Sequence, residues 1–181
     1  MRIIVLCGLP GVGKLTIARG IAQLRGYRVF HNHLVFDAVE ALFPFGSPAF
    51  VELRDRLWLE LLSRAVREQI GNVIFTIARD RAVAQDFLER LTLALSQAGA
   101  EVRCIELTCG IEDLERRIGS VERSRFGKVS SFERFRKLHA VGAFPLFSMP
   151  PGTITVDTSG LSVEETVVKV DAEVDSASRA A

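Results

Sequence analysis

Apolar positions in this chain fall into two alternating patterns. Short runs rich in β-branched residues read as buried strands: Arg2-Ile-Ile-Val-Leu-Cys7, Tyr27-Arg-Val-Phe30, Asn72-Val-Ile-Phe-Thr-Ile77, Val102-Arg-Cys-Ile-Glu-Leu107 and Thr153-Ile-Thr-Val156. Between them the spacing is helical. Leu15, Ile17, Ala18, Ile21 and Leu24 form the first such face; Leu34, Phe36, Val39 and Leu42 form a short one that ends before Pro44. Ser47 and Pro48 make an N-cap and first-turn pair for a long helix, with Phe50, Leu53, Leu57, Leu61 and Ala65 on its apolar face and Glu52, Arg56, Glu60 and Arg67 away from it, ending at Gly71. Val83, Phe87, Leu91 and Leu95 mark a helix that stops near Gly99. Ile111, Leu114 and Ile118 mark another, with Glu112 and Asp113 in its first turn, where carboxylates suit the helix dipole. Ser130-Ser-Phe-Glu133 and Ser162-Val-Glu-Glu165 read as capping boxes that open two further helices, and 176–181 as a flexible tail.

Strands separated by helices imply right-handed crossovers and a parallel sheet of about five strands between helical layers. Such sheets gather ligands at the carboxyl ends of their strands. That rule selects Gly8 to Thr16, His31 to Asp37, Thr76 to Asp80, Arg116 to Lys128 and Asp157 to Leu161. The chain of 181 residues, with 48% hydrophobic and 25% charged residues, is long enough for one sizeable core, read as a single domain over 1–175. A net charge of +1 offers no general attraction to nucleic acid or to an anionic membrane, and no apolar run approaches the ~20 residues of a membrane span. The N-terminal apolar run lacks a charged leader and a cleavage site, so the expected location is the cytoplasm. Cys7, Cys104 and Cys109 are odd in number and form no C-x-x-C pair, which favours reduced, buried thiols.

The first strand runs directly into Gly8-Leu-Pro-Gly-Val-Gly-Lys-Leu-Thr16 and then into a helix. Strand, glycine loop and helix are the context of a phosphate-binding loop. Gly8, Leu9, Pro10, Gly11, Val12 and Gly13 would curl main-chain N–H groups around an anion, the helix N-terminus would add partial positive charge, and Lys14 would reach the outer phosphates. A nucleotide triphosphate is the expected ligand. The hydroxyl that ordinarily follows the lysine and binds Mg²⁺ is replaced by Leu15, and the nearest hydroxyl is Thr16. This G-x-P-G-x-G-K-x-T loop resembles that of adenylate kinase and its relatives. The resemblance implies ATP held by residues 8–16, and Mg²⁺ held mainly by phosphates and water, with Thr16 as the protein's candidate metal contact.

From Arg116 to Lys137 the chain carries Arg116, Arg117, Arg123, Arg125, Lys128, Arg134, Arg136 and Lys137 against only Glu122 and Glu133. Beside a phosphate loop, this reads as a lid over about 119–130 that closes cations on a transferring phosphoryl group. Here the chain resembles P-loop kinases of the adenylate, gluconate and shikimate type over most of its length, which implies a P-loop NTPase fold, three-layer α/β/α, with strand order 2-3-1-4-5. Leu114-Glu-Arg-Arg117 is similar to the family's L-x-x-R before the lid. That implies Arg117 over the adenine and Arg123 and Arg125 as catalytic lid arginines. Val156-Asp-Thr-Ser-Gly-Leu161 resembles the family's adenine loop, which implies nucleotide contacts from Asp157 and Thr158. Phe30-His-Asn-His33, Pro44-Phe-Gly-Ser-Pro48 and Phe126-Gly-Lys128 together resemble a bacterial kinase-like branch.

The loop after the second strand faces the acceptor side of this fold and holds His31, His33 and Asp37. Asp37-Ala-Val-Glu-Ala-Leu-Phe-Pro44 resembles the stretch of chloramphenicol phosphotransferase that begins at its proposed catalytic aspartate. Asp37 is therefore the candidate base, with His33 in reserve; capping its own helix is the plainer role for an aspartate there. Arg79 occupies about the position where nucleoside monophosphate kinases hold the acceptor phosphate, yet the acid those kinases carry at the end of the third strand is missing from Phe75-Thr76-Ile77, and Asp80 is a distant substitute. Arg54 and Arg56 read as a solvated helix face. The leading expectation is an ATP-dependent phosphotransferase acting on a small hydroxyl-bearing or nucleotide acceptor, monomeric or dimeric. A nucleoside monophosphate kinase and a non-transferring ATP-binding regulatory module are the alternatives.

Overall fold

The computed structural model describes residues 1–79, 83–118, 132–144 and 149–176. Asp80, the proposed lid with Arg123 and Arg125, Ser130 of the first capping box and the tail 177–181 lie outside these residues. Among the described residues, no helix is long and apolar enough to cross a membrane.

The elements follow the order β1 (Arg2–Gly8), α1 (Lys14–Arg25), β2 (Arg28–His31), α2 (His33–Glu40), α3 (Pro48–Arg67), β3 (Val73–Ala78), α4 (Phe87–Gln97), β4 (Glu101–Thr108), α5 (Ile111–Ile118), α6 (Phe132–Ala140), β5 (Ile154–Asp157) and α7 (Val163–Ser176). The five strands form one parallel sheet in the order β2-β3-β1-β4-β5. β1 sits at the centre because its neighbours hide it on both edges and helices hide both faces. In register, Gly8 pairs with Ala78 of β3 and with Leu107 of β4, so the phosphate loop leaves the sheet in the middle of its carboxyl edge.

Side chains alternate across the pleat. Ile3, Val5 and Cys7 join Phe75, Trp58, Leu62 and Leu91 in the layer under α3 and α4, while Ile4 and Leu6 join Ile17, Ile21, Val167 and Val170 under α1 and α7. A small third cluster of Leu114, Ile118 and Phe135 packs with Leu9 beside the phosphate loop.

Two expectations need correction. α3 buries Phe50, Arg54, Trp58, Leu62 and Val66, an i, i+4 ridge, whereas Leu61 of the expected face is 48% exposed. Of the expected face Phe50 is buried and Leu53 and Leu57 are partly buried against the core, but the centre of the ridge is an arginine and a tryptophan that counting leucines passed over. Arg54 is consequently in the interior at 1% exposure, while Arg56 is solvated as expected. Val83 is buried but precedes α4, whose first residue is Phe87. The second capping box forms as expected: Glu165 N–H donates to Ser162 Oγ at 3.1 Å, and Ser162 N–H donates to Glu165 Oε2 at 2.8 Å.

Candidate active site

The phosphate loop is a main-chain device. Gly11 and Gly13 both have φ of 102°, in the region that disfavours a side chain, and a Cβ on Gly11 would lie 2.7 Å from Ile118 and 2.8 Å from Leu114 of α5. Gly13 is the N-cap of α1 and leaves the first-turn N–H groups directed at the loop. Lys14 Nζ donates to the carbonyls of Gly8 at 2.9 Å and Leu9 at 2.8 Å. Both carbonyls hold the ammonium at the loop mouth, where phosphate oxygens would offer it charge-assisted bonds.

Pro10 to Thr16 line a cavity of about 910 Å³ whose opposite wall is built by α2 and α3. His31, Asn32, His33, Phe36, Asp37 and Glu40 reach it from β2 and α2, and Arg54 and Trp58 from α3. His33 and Asp37 are one helical turn apart, with Nδ1 and Oδ1 separated by 3.3 Å. The cavity therefore unites Lys14, Leu15, Thr16, His31, His33 and Asp37, as the rule of the strand ends required.

Arg54 and Trp58 form the part of this wall that the sequence reading missed. The Arg54 guanidinium donates Nε and Nη2 to Asp55 Oδ1 at 2.9 and 2.6 Å and lies 4.7 Å from the Trp58 ring centroid and 5.4 Å from that of Phe50. Burial pushes the Asp55 carboxyl up, and Arg54 opposes that shift. Trp58 is 1% exposed, and its Nε1–H has no hydrogen-bond acceptor among the described residues. The available signal was the spacing Phe50, Arg54, Trp58, Leu62, which a helix places on one line.

On the nucleotide side, Arg117 donates Nη1 to Thr158 Oγ1 at 2.8 Å and to Val12 O at 3.2 Å, and Nη2 to Thr158 O at 2.8 Å. It ties the phosphate loop to the turn after β5. Thr158 is fully buried, and its own hydroxyl donates a hydrogen bond to Thr108 O at 2.9 Å. Asp157 accepts from Ser159 N–H and Oγ–H, which holds its carboxyl below the ordinary range. Leu161, Ser162, Val163 and Thr166, rather than Asp157 and Thr158, line the cavity. Arg116 and Arg134 also reach it, Arg134 from α6, so the basic segment does contribute cations to the cleft.

Arg79 is placed elsewhere. It is 6% exposed and paired with Glu106, and together with Leu9, Cys109 and His139 it lines a second cavity of about 450 Å³. Burial raises the thiol pKa of Cys7 and Cys109 and pushes that of Cys104 up to about 12, so none of the three is poised as a thiolate at neutral pH. Among the described residues, no group of three His, Cys, Asp or Glu side chains could hold a metal. Thr16, within the loop and lining the cavity, is the hydroxyl that could contact a Mg²⁺ carried by phosphate oxygens.

The sheet order, the glycine loop and the cleft define the P-loop kinase-like class of α/β folds. The chain matches no protein-family model and no curated sequence. Solved structures similar to it include a sugar kinase from Janibacter sp. HTCC2649 (TM-score 0.65, 16% identity, 97% of this chain and 95% of that one). The tunicamycin resistance protein of Deinococcus radiodurans is also similar (0.61, 21%, 96% and 95%), as is shikimate kinase from Bacteroides thetaiotaomicron (0.62, 16%, 96% and 98%). At these identities the likeness establishes the fold, which is that of P-loop small-molecule kinases.

Proposed function

We propose that this protein is an ATP-dependent phosphotransferase that moves the γ-phosphate to a hydroxyl of a small acceptor. The observation that carries the reading is a single cavity lined by Lys14 and the phosphate loop on one wall and by Asp37 and His33 on the other. A static nucleotide holder has no use for the second wall. In the transfer, the acceptor oxygen bonds to the γ-phosphorus as the bond to the ADP oxygen breaks, and the hydroxyl proton passes to Asp37, which His33 orients. Lys14, Arg116 and Arg134 stabilise charge on the moving phosphoryl group, with Arg123 and Arg125 in the lid role the resemblance implies. Mg²⁺, when bound with the nucleotide, would neutralise the β- and γ-phosphate oxygens beside Thr16. Arg117 positions the nucleotide side by joining Val12 to Thr158.

The monophosphate-kinase alternative is disfavoured by Arg79, which faces Glu106 in the second cavity and does not line the main one. Coupled ADP release from MgATP against a panel of alcohols, sugars and nucleoside monophosphates tests the proposal, with Lys14→Ala as the blank. Stimulation that vanishes in the blank supports transfer. Intact ATP binding with no stimulation by any acceptor refutes it in favour of the regulatory module.

A further inference from the structure

We propose that the acceptor is an alcohol carrying a flat apolar ring and a positive charge, not a phosphate or a carboxylate. This deepens the phosphotransfer reading and rests on it for the role of acceptor, though not for the binding itself. Charge is segregated in the cleft. Lys14, Arg19, Arg116, Arg117 and Arg134 line the nucleotide side, whereas Asp37 and Glu40, three residues apart on α2, are exposed carboxylates on the acceptor wall.

Arg54 is the one Lys or Arg on that wall among the described residues, and its charge is matched within the wall by Asp55. An anionic acceptor would meet two carboxylates and an ion pair of no net charge, a repulsion between solvent-exposed groups that salt weakens. A cationic acceptor would gain from the same two carboxylates. The rings of Phe36 and Phe45 line the same wall and suit an aromatic group or a cation.

Trp58 is the only tryptophan of the chain, so quenching of intrinsic fluorescence reports on this wall directly. Three compounds sharing a phenyl ring and a benzylic hydroxyl but differing in charge are titrated into the full chain with a non-hydrolysable ATP analogue. They are 2-amino-1-phenylethanol, 1-phenyl-1,2-ethanediol and mandelate, compared at low salt near pH 8, where free histidine is neutral. The amine is expected to bind tightest and the acid weakest, with about a tenfold span. The span should shrink to about threefold in about 0.5 M salt, and likewise in Glu40→Gln. A flat or inverted order, or no saturable quench by the amine, overturns the proposal. ADP release is followed in parallel with ATP: the expected order without release refutes the transfer reading and leaves this one standing, whereas release with mandelate as the best ligand does the reverse.

Discussion

The nucleotide wall of the cleft is made of main chain and the acceptor wall of side chains. On the first, Gly11 and Gly13 at φ of 102° and the N-terminus of α1 form the cradle proposed for the phosphates, in which the proposal requires only Lys14 as a particular side chain. On the second, α2 and α3 are ordinary helices, and everything specific lies in His33, Phe36, Asp37, Arg54 and Trp58. A main-chain site is damaged by adding atoms, and a side-chain site by removing or exchanging them. The first can therefore stay constant while the second is rewritten for a new acceptor on the same sheet.

The severest test of this contrast removes the one indispensable side chain on the main-chain wall. Lys14→Ala should lower ADP release by about 10³-fold, with the circular dichroism spectrum unchanged, because the charge is lost where the phosphoryl group develops its own. Next in size, Asp37→Asn should lower kcat by about 10²-fold and leave ATP affinity untouched. If Asp37→Asn weakens ATP binding as much as Lys14→Ala does, the two walls do not act separately and the comparison fails.

The same division explains what could be read from the chain. The short β-branched strand runs and the loop from Gly8 to Thr16 were legible, because glycine spacing and lysine are a direct record of main-chain geometry, whereas the strand order followed from the resemblance to P-loop kinases. The acceptor wall was legible only as far as His31, His33 and Asp37, which follow a strand end. Arg54 and Trp58 were not, since a charged residue at the centre of a buried ridge contradicts the hydrophobic pattern that defines the ridge. Arg79 shows the complementary failure. Its place after β3 was correctly located, but its direction was set by Glu106, twenty-seven residues away on β4. Spacing along one element cannot foresee a partner on another.

Arg54→Leu should cost about 3 kcal/mol in urea unfolding, because it strands the carboxylate of Asp55 in a site that is 13% exposed. Burial already raises the Asp55 carboxyl, and removal of Arg54 raises it further. A carboxyl with a higher pKa folded than unfolded holds its proton more tightly in the folded state, so the deficit should be greatest at neutral pH and recede as pH falls. A deficit that is constant with pH would mean that packing against Trp58, not charge, is what Arg54 supplies. Gly11→Ala should cost less, about 1–2 kcal/mol of stability, yet weaken ATP binding about tenfold, since one methyl presses on Ile118 and Leu114 and displaces the loop. The pair thus draws the contrast in two substitutions: deletion harms the acceptor wall's stability, and addition harms the nucleotide wall's function.

Thr16 provides the smallest and most discriminating effect. It lines the cleft two residues after Lys14, while Leu15 fills the position at which a metal-binding hydroxyl ordinarily stands. If the main-chain wall delegates Mg²⁺ to phosphate oxygens, a hydroxyl at 16 can only assist, and its loss should cost no more than one neutral hydrogen bond, about 0.5–1.5 kcal/mol. Thr16→Ala should then raise the Mg²⁺ concentration for half-maximal ADP release about threefold without altering maximal rate, and Thr16→Ser should restore the parent value. A shift of about a hundredfold would make Thr16 an obligatory metal ligand, and the nucleotide wall would depend on a second particular side chain. No shift at all would place the metal wholly on phosphate and water, leaving that wall to the backbone and Lys14 alone.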